Sequence, residues 1–114
     1  MDSEEFVQRV RKSIRDAACK ATIKSLQSPS GRRPPADLVV DSDWYNALNE
    51  DGRERVSSII DRAADQVVFD FLCVLDGVGF IENEGEKGRF ELLYIKDGVK
   101  VLNPPDGSPL HELY

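Results

Sequence analysis

The sequence has few of the residues on which catalytic and metal sites depend. Among 114 residues there is one histidine, His111, and there are two cysteines, Cys19 and Cys73. Acid–base and nucleophilic catalysis most often recruit histidine, and a zinc site needs several ligands at close spacing. A lone histidine and two cysteines far apart in the chain supply neither. We therefore expect no enzyme, no cofactor and no metal site, with both cysteines as buried, reduced thiols.

Long apolar runs are also missing. The longest run, Phe71–Leu75, is bounded by Asp70 and Asp76 and is far too short to span a bilayer. The segment Met1–Glu5 is acidic, whereas a secretory signal starts with basic residues. These absences predict a soluble, cytoplasmic protein with no membrane partner.

Basic residues are fewer than acidic residues. The sequence has 15 Lys and Arg against 21 Asp and Glu, a formal net charge of −6. Nucleic-acid binders carry a basic patch, so this balance argues against nucleic acid as a partner. The pair Arg32-Arg33 is the best candidate for such a patch, but no aromatic residue accompanies it. The length fits one domain spanning residues 1–114.

Two segments show the apolar spacing of amphipathic helices. Residues 3–27 predict a first helix, whose apolar stripe is Phe6, Val10, Ile14, Ala17, Ala18 and Ala21. Residues 52–76 predict a second, central helix, whose broad apolar face is Val56, Ile59, Ile60, Ala63, Ala64, Val67, Phe71 and Val74. Between them, three prolines and a glycine predict a loop over residues 28–41, and residues 43–49 predict a short helix.

From residue 79 the apolar period changes from helical to alternating, which predicts a small β-sheet over residues 79–103. Asp97-Gly98 indicates a two-residue hairpin turn, which would pair Tyr94 with Val101 and Ile95 with Lys100. One sheet face would then carry Phe90, Leu92, Tyr94 and Val101, and the other Leu93, Ile95 and Leu102. A short strand at Phe80-Ile81 and a tail over 104–114 complete the chain.

The predicted fold class is therefore α+β. We expect two long antiparallel helices and a short helix, all packed on a small C-terminal antiparallel β-sheet with its hairpin at Asp97-Gly98.

One set of acidic and basic residues has the order found in metal-dependent nucleases: Asp76, Glu91 and Lys96. The required Glu-x-Lys spacing is missing, so a helix cap and solvated sheet charges are the better interpretation. A small hydrolase or nuclease with an acidic site at Asp76 and Glu91 remains an alternative.

An acidic and aromatic cluster is the most informative feature for function. It comprises Asp41, Asp43, Trp44, Tyr45, Glu50, Asp51 and Glu54. Trp and Tyr are enriched in binding hot spots, and acidic surroundings select a basic partner. We predict that these residues bind a protein partner, with Trp44 able to pack inward while Tyr45 and the acids face outward. The alternative is that Trp44 and Leu48 only cover the core.

The C-terminal 45 residues resemble a group of small uncharacterised bacterial proteins. The resemblance rests on Phe69–Val78, Leu92-Leu93-Tyr94, Asp97-Gly98, Asn103-Pro104-x-Asp106 and Leu110-His111-Glu112-Leu113. Small acidic proteins of this kind are similar to immunity proteins of bacterial toxin systems. The resemblance implies a protein that neutralises a toxin, and it carries no functional residues.

Two functions follow as hypotheses. The first is a small acidic protein-binding module, of an immunity or antitoxin type, that neutralises a basic partner such as a toxin domain. The second is a homo-oligomeric structural or housekeeping protein, which would self-associate through the second hairpin face or the long helices.

Overall fold

Helices dominate the protein, which we describe from a computed structural model of residues 1–114. In chain order the elements are α1 (Ser3–Val10), a π-helical turn (Arg11–Asp16), α2 (Ala17–Gln27), α3 (Ala36–Ala47), α4 (Glu50–Leu75), β1 (Leu93–Ile95), β2 (Val99–Val101) and α5 (Leu110–Leu113). The two strands form the one sheet, so the α+β class is confirmed. None of the helices is both long and apolar enough to cross a membrane.

The first helical segment runs without a break from α1 to α2, but its buried face differs from the predicted one. A π-helical turn accommodates one more residue than an α-turn, so it shifts the phase of everything beyond it. Val7, Cys19 and Leu26 consequently share one side, and Ile14 is exposed. The predicted stripe through Ile14 and the three alanines is therefore wrong beyond Val10, because it assumed an uninterrupted α-helical period.

Helix α4 lies antiparallel to this first segment. Val7 packs against Leu72 near the end of α4, and Arg15 contacts Asp65 in its middle. At its start, the Asn49 side chain accepts a hydrogen bond from the Gly52 N–H at 2.8 Å, which caps the helix.

The core is small and lies at one end of the molecule. Its buried centre is Val7, Leu72 and Leu110. Around it pack the half-buried residues Phe6, Val68, Leu75, Leu92, Leu113 and Tyr114. The predicted apolar face of the central helix is covered only in part: Val56, Ile60, Ala64 and Val74 are half-buried, whereas Val67 is 69% exposed and Phe71 is 62% exposed. The side of α4 that faces the first helical segment carries Asp61 and Asp65 in the middle of the helix and Leu72 near its end.

Helix α3 is longer than predicted and lies elsewhere. It begins at Ala36, directly after Pro34-Pro35, and has 12 residues, so the predicted loop over 28–41 ends early. Proline is well tolerated at a helix start, where its missing N–H and fixed φ cost nothing. Helix α3 packs on α2 rather than on the sheet.

The hairpin is smaller than predicted and its register differs by one residue. Leu93 pairs with Val101, Tyr94 with Lys100 and Ile95 with Val99. The loop therefore has three residues, with Asp97 and Gly98 both at positive φ. Directly opposed residues share a face, so Leu93 and Val101 share one and Leu92 and Leu102 share the other.

These pairs correct both predicted sheet faces. Leu102, predicted on the face of Leu93, is buried, and its carbonyl accepts a hydrogen bond from the Ser3 hydroxyl at 2.6 Å. The predicted strand at Phe80-Ile81 does not form.

Two side chains fix the tail to the helices. The Asp76 carboxylate accepts hydrogen bonds from the backbone N–H groups of Leu110 and His111, at 3.0 and 2.8 Å. The Asn103 amide donates to the carbonyls of Leu75 and Phe90, and its oxygen accepts from the Leu92 N–H. Leu110 is thereby held in the core.

Candidate protein-binding surface

The outer face of α3 carries an exposed aromatic residue among carboxylates. Trp44 is 56% exposed, and Val40, one turn earlier, is also exposed. Asp37, Asp41 and Asp43 lie around them and face solvent. None of these three carboxylates takes part in a salt bridge of the structure. We call Asp37, Val40, Asp41, Asp43 and Trp44 the α3 surface.

The packing of α3 on α2 determines which of its residues reach this surface. The inner face places Ser42 and Tyr45 against α2. The Ser42 hydroxyl and the Asn46 amide both donate to the Gln27 carbonyl, at 3.5 and 3.0 Å. That carbonyl lies in the last turn of α2, where it has no partner within the helix. These bonds fix the rotation of α3 and leave Trp44 outside.

The predicted orientation of the two aromatic residues is thus reversed. Tyr45 is 3% exposed and cannot contact a partner, whereas Trp44 faces solvent. The difference arises because the sequence pattern predicts a helix that starts near residue 43. With its start at Ala36, the two buried residues of α3, Ser42 and Tyr45, lie three positions apart on one side of the helix.

The remaining predicted residues lie on α4. Glu50 and Asp51 occupy its first turn, where carboxylates stabilise the positive end of the helix dipole. Asp51 and Glu54 also line an open groove of about 740 Å³ along α4, together with Arg55, Ser58, Asp61, Arg62 and Asp65. The predicted cluster is therefore divided between two helices. The α3 surface combines acids with an aromatic residue, and the α4 groove contains only polar residues.

A polar network that is not predicted from the sequence lies between the π-helical turn and α4. Arg15 donates to both carboxylate oxygens of Asp65, at 2.9 and 3.2 Å, and the Tyr114 hydroxyl donates to one of them at 2.6 Å. The hydrogen bonds from Arg15 are the main cause that lowers the pKa of Asp65, and the hydrogen bond from Tyr114 is the second. Burial and the Asp65 hydrogen bond raise the pKa of Tyr114. Arg11 stacks on the Tyr114 ring, 4.0 Å from its centroid.

This network joins the first helical segment, α4 and the tail. A sequence signal for it existed: Asp61 and Asp65 are one turn apart on α4, and the helix predicted to lie antiparallel is rich in arginine. The signal was too weak to select Arg15, because an uninterrupted α-helix places that residue off the buried face.

Neither cysteine has the surroundings of a reactive thiol. Burial raises the pKa of the Cys19 and Cys73 thiols, and both are unpaired. A thiol with a raised pKa carries less of the nucleophilic thiolate. Cys73 is half-buried rather than buried as predicted.

The Asp76 carboxylate, which belongs to the alternative acidic site, is bound to the start of α5. Its carboxylate accepts hydrogen bonds from Leu110 and His111, and Glu91 is exposed. No group of three or more histidine, cysteine or acidic side chains is arranged to hold a metal ion.

Comparisons with protein-family models, with curated proteins and with solved structures found no match.

Proposed function

We propose that this protein is a small acidic protein-binding module that neutralises a basic partner through the α3 surface. The observation that carries the proposal is the exposure of Trp44 among three carboxylates that have no salt bridge. A tryptophan offers a large contact area on a rigid side chain, and tryptophans dominate binding hot spots.

The chemistry of the surface indicates the class of partner. Asp37, Asp41 and Asp43 surround Trp44, and the whole chain has a net charge of −6. A basic partner would supply lysine or arginine side chains to these carboxylates, and complementary fields accelerate association and exclude acidic proteins. A basic toxin domain is such a partner, in keeping with the resemblance to immunity proteins.

The division of roles within the surface follows from general interface energetics. Truncation of a central tryptophan typically costs about 2 kcal/mol or more of binding energy. Rim carboxylates contribute mainly to the association rate and its salt dependence. Binding should therefore depend on Trp44 at every salt concentration at which the complex forms, and on Asp41 and Asp43 mainly at low salt.

A tagged pull-down from native cell extract tests the proposal, with bound proteins identified by mass spectrometry and then titrated in purified form. We expect a basic protein that wild type retains at low salt and loses at high salt, and that Trp44→Ala does not retain. Phe80→Ala is the matched control, because Phe80 and Trp44 are both 56% exposed and Phe80 lies beyond the end of α4, outside the α3 surface. Equal retention by Trp44→Ala and wild type would refute the role of the α3 surface.

Self-association is a second candidate, and one observation favours it: the apolar side of α4 is open to solvent at Val67 and Phe71. The two functions are compatible, because the two surfaces lie on different helices.

A further inference from the structure

A continuous apolar stripe follows α4 on the side away from Asp61 and Asp65. Its residues are Val56, Ile60, Ala63, Val67, Phe71 and Val74, which recur every three or four positions. At 3.6 residues per turn these positions fall within about 80° of one another around the helix. Val67 and Phe71 are largely exposed, and no helix of the chain covers them. We call this set the α4 stripe.

The chain exposes far more surface than a compact monomer of its size. Its accessible surface is 8485 Å². A folded monomer of this mass exposes about 6,300 Å². The radius of gyration is 18.5 Å, against about 13 Å for a compact domain of this length. The excess of about 2,200 Å² is more than twice the roughly 800 Å² that each partner contributes to a standard interface.

We propose that a second copy of this chain covers the α4 stripe, so that the protein is a homodimer built on two antiparallel α4 helices. This dimer goes beyond the proposed basic partner, which would bind the α3 surface. The exposed area indicates a second copy as the occupant, because the excess accessible surface of the chain is close to the area that each subunit of an obligate dimer buries. Interfaces of obligate dimers are also apolar, as the α4 stripe is.

The spacing of the stripe fits an antiparallel pair related by a two-fold axis near residue 65. That axis places Val56 opposite Val74, Ile60 opposite Phe71, and Ala63 opposite Val67 of the second copy. Each residue of the stripe then has an apolar partner, with small Ala63 facing a larger side chain. A two-fold interface of this kind is self-complementary, as dimers require.

Charge also favours the antiparallel arrangement. Asp70 flanks the stripe and is exposed. A parallel, in-register pair would bring the two Asp70 carboxylates side by side, where like charges repel. In the antiparallel pair with its axis near residue 65, the two Asp70 carboxylates lie about 15 Å apart along the helices, beyond the screening length at physiological salt.

Sedimentation velocity on the purified chain tests the dimer, with Val67→Glu and a matched control. Val99 is 66% exposed and Val67 is 69% exposed, so Val99→Glu makes the same change at equal exposure outside the stripe. We expect twice the monomer mass for wild type and V99E. For V67E the dissociation constant should rise by about 100-fold or more, because each subunit would bury a carboxylate in an apolar seam.

Two results would overturn the dimer. One is a wild-type chain that remains monomeric at high micromolar concentration, which would mean that a different protein covers the α4 stripe. The other is a V67E variant that dimerises as tightly as V99E. Sodium chloride at 1 M should leave the dimer intact while it releases a basic protein from the α3 surface, so failure of one proposal is distinguishable from failure of the other.

A distance measurement tests the orientation and does not depend on how V67E folds. A spin label at Arg55→Cys, in a background of Cys19→Ala and Cys73→Ala, lies ten residues from the proposed axis. The antiparallel pair predicts a label separation of about 30 Å or more. A separation under about 20 Å would show a parallel pair and overturn the arrangement.

Discussion

Removal of the Asp76 carboxylate should detach the tail and destabilise the whole fold. The side chain is 5% exposed, and it accepts bonds from the N–H groups of Leu110 and His111 and pairs with the His111 ring nitrogen Nδ1 at 2.7 Å. Asp76→Ala leaves the two N–H groups at the start of α5 without an acceptor. Each buried N–H group left unpaired in this way costs about 1–3 kcal/mol. We expect a loss of about 3 kcal/mol in the free energy of unfolding.

Asp76→Asn provides an intermediate step. Its side chain keeps one carbonyl oxygen, which can accept from one N–H, while its amide group would oppose the other donor. We expect about half of the alanine effect. Asp106→Ala is the control, because Asp106 is exposed and its side chain makes no hydrogen bond. That variant should lie within about 0.5 kcal/mol of wild type.

Urea unfolding followed by far-ultraviolet circular dichroism measures these differences. Hydrogen exchange at residues 110–113 measures the local effect, which should appear as faster exchange in Asp76→Ala. Because Leu110 is fully buried against Val7 and Leu72, release of α5 exposes the core, so both measurements should change together. An Asp76→Ala variant within about 0.5 kcal/mol of wild type would refute the reasoning.

Three further predictions concern the core, the polar network and the hairpin. Leu110→Ala should cost about 3 kcal/mol in urea unfolding, because it leaves a cavity in a core of three buried residues. Leu93 is exposed, so Leu93→Ala should cost less than about 1 kcal/mol. Equal losses of stability for the two variants would contradict the assigned core. The pKa of Asp65 is lower in the folded chain than in the unfolded chain, so its contribution to stability is complete above about pH 4 and disappears as pH falls through the folded pKa. Asp65→Asn should therefore melt lower than wild type at pH 7, by a margin that shrinks as the pH falls below about 4; a difference independent of pH would contradict this. Gly98 has φ of 135°, so Gly98→Ala should cost about 1–2 kcal/mol, seen as faster amide exchange in the hairpin, and unchanged exchange would argue against a strained turn.

The sequence predicted local structure better than it predicted packing. Periodicity and capping residues indicated helices close to the observed ones, because these signals act within a few residues along the chain. Asp76-Gly77 ends α4 as the glycine signal suggests, with Gly77 at a φ of 78°. The start of α3 was missed because Leu38, Val39 and Val40 are consecutive apolar residues without helical periodicity.

The orientation of helices depends on contacts between distant residues, which periodicity does not reveal. A single extra residue in the π-helical turn rotates α2 and turns Arg15 and Cys19 towards α4. The broad apolar face of α4 predicted a buried helix, but an apolar face does not distinguish packing within the chain from packing between chains. Trp44 was found as a candidate from its residue type, while its exposure followed only from the rotation of α3.

The π-helical turn also has a consequence for changes in chain length. Deletion of one residue from an ordinary α-helix rotates everything beyond it by about 100°, which usually destroys the packing. In this chain the segment Arg11–Asp16 already accommodates one residue more than a regular α-helix would. Loss of exposed Ser13 would return the segment to α-helical geometry and leave Val7 and Cys19 on the same side. A chain shortened by one residue at this point should therefore keep the same contacts with α4.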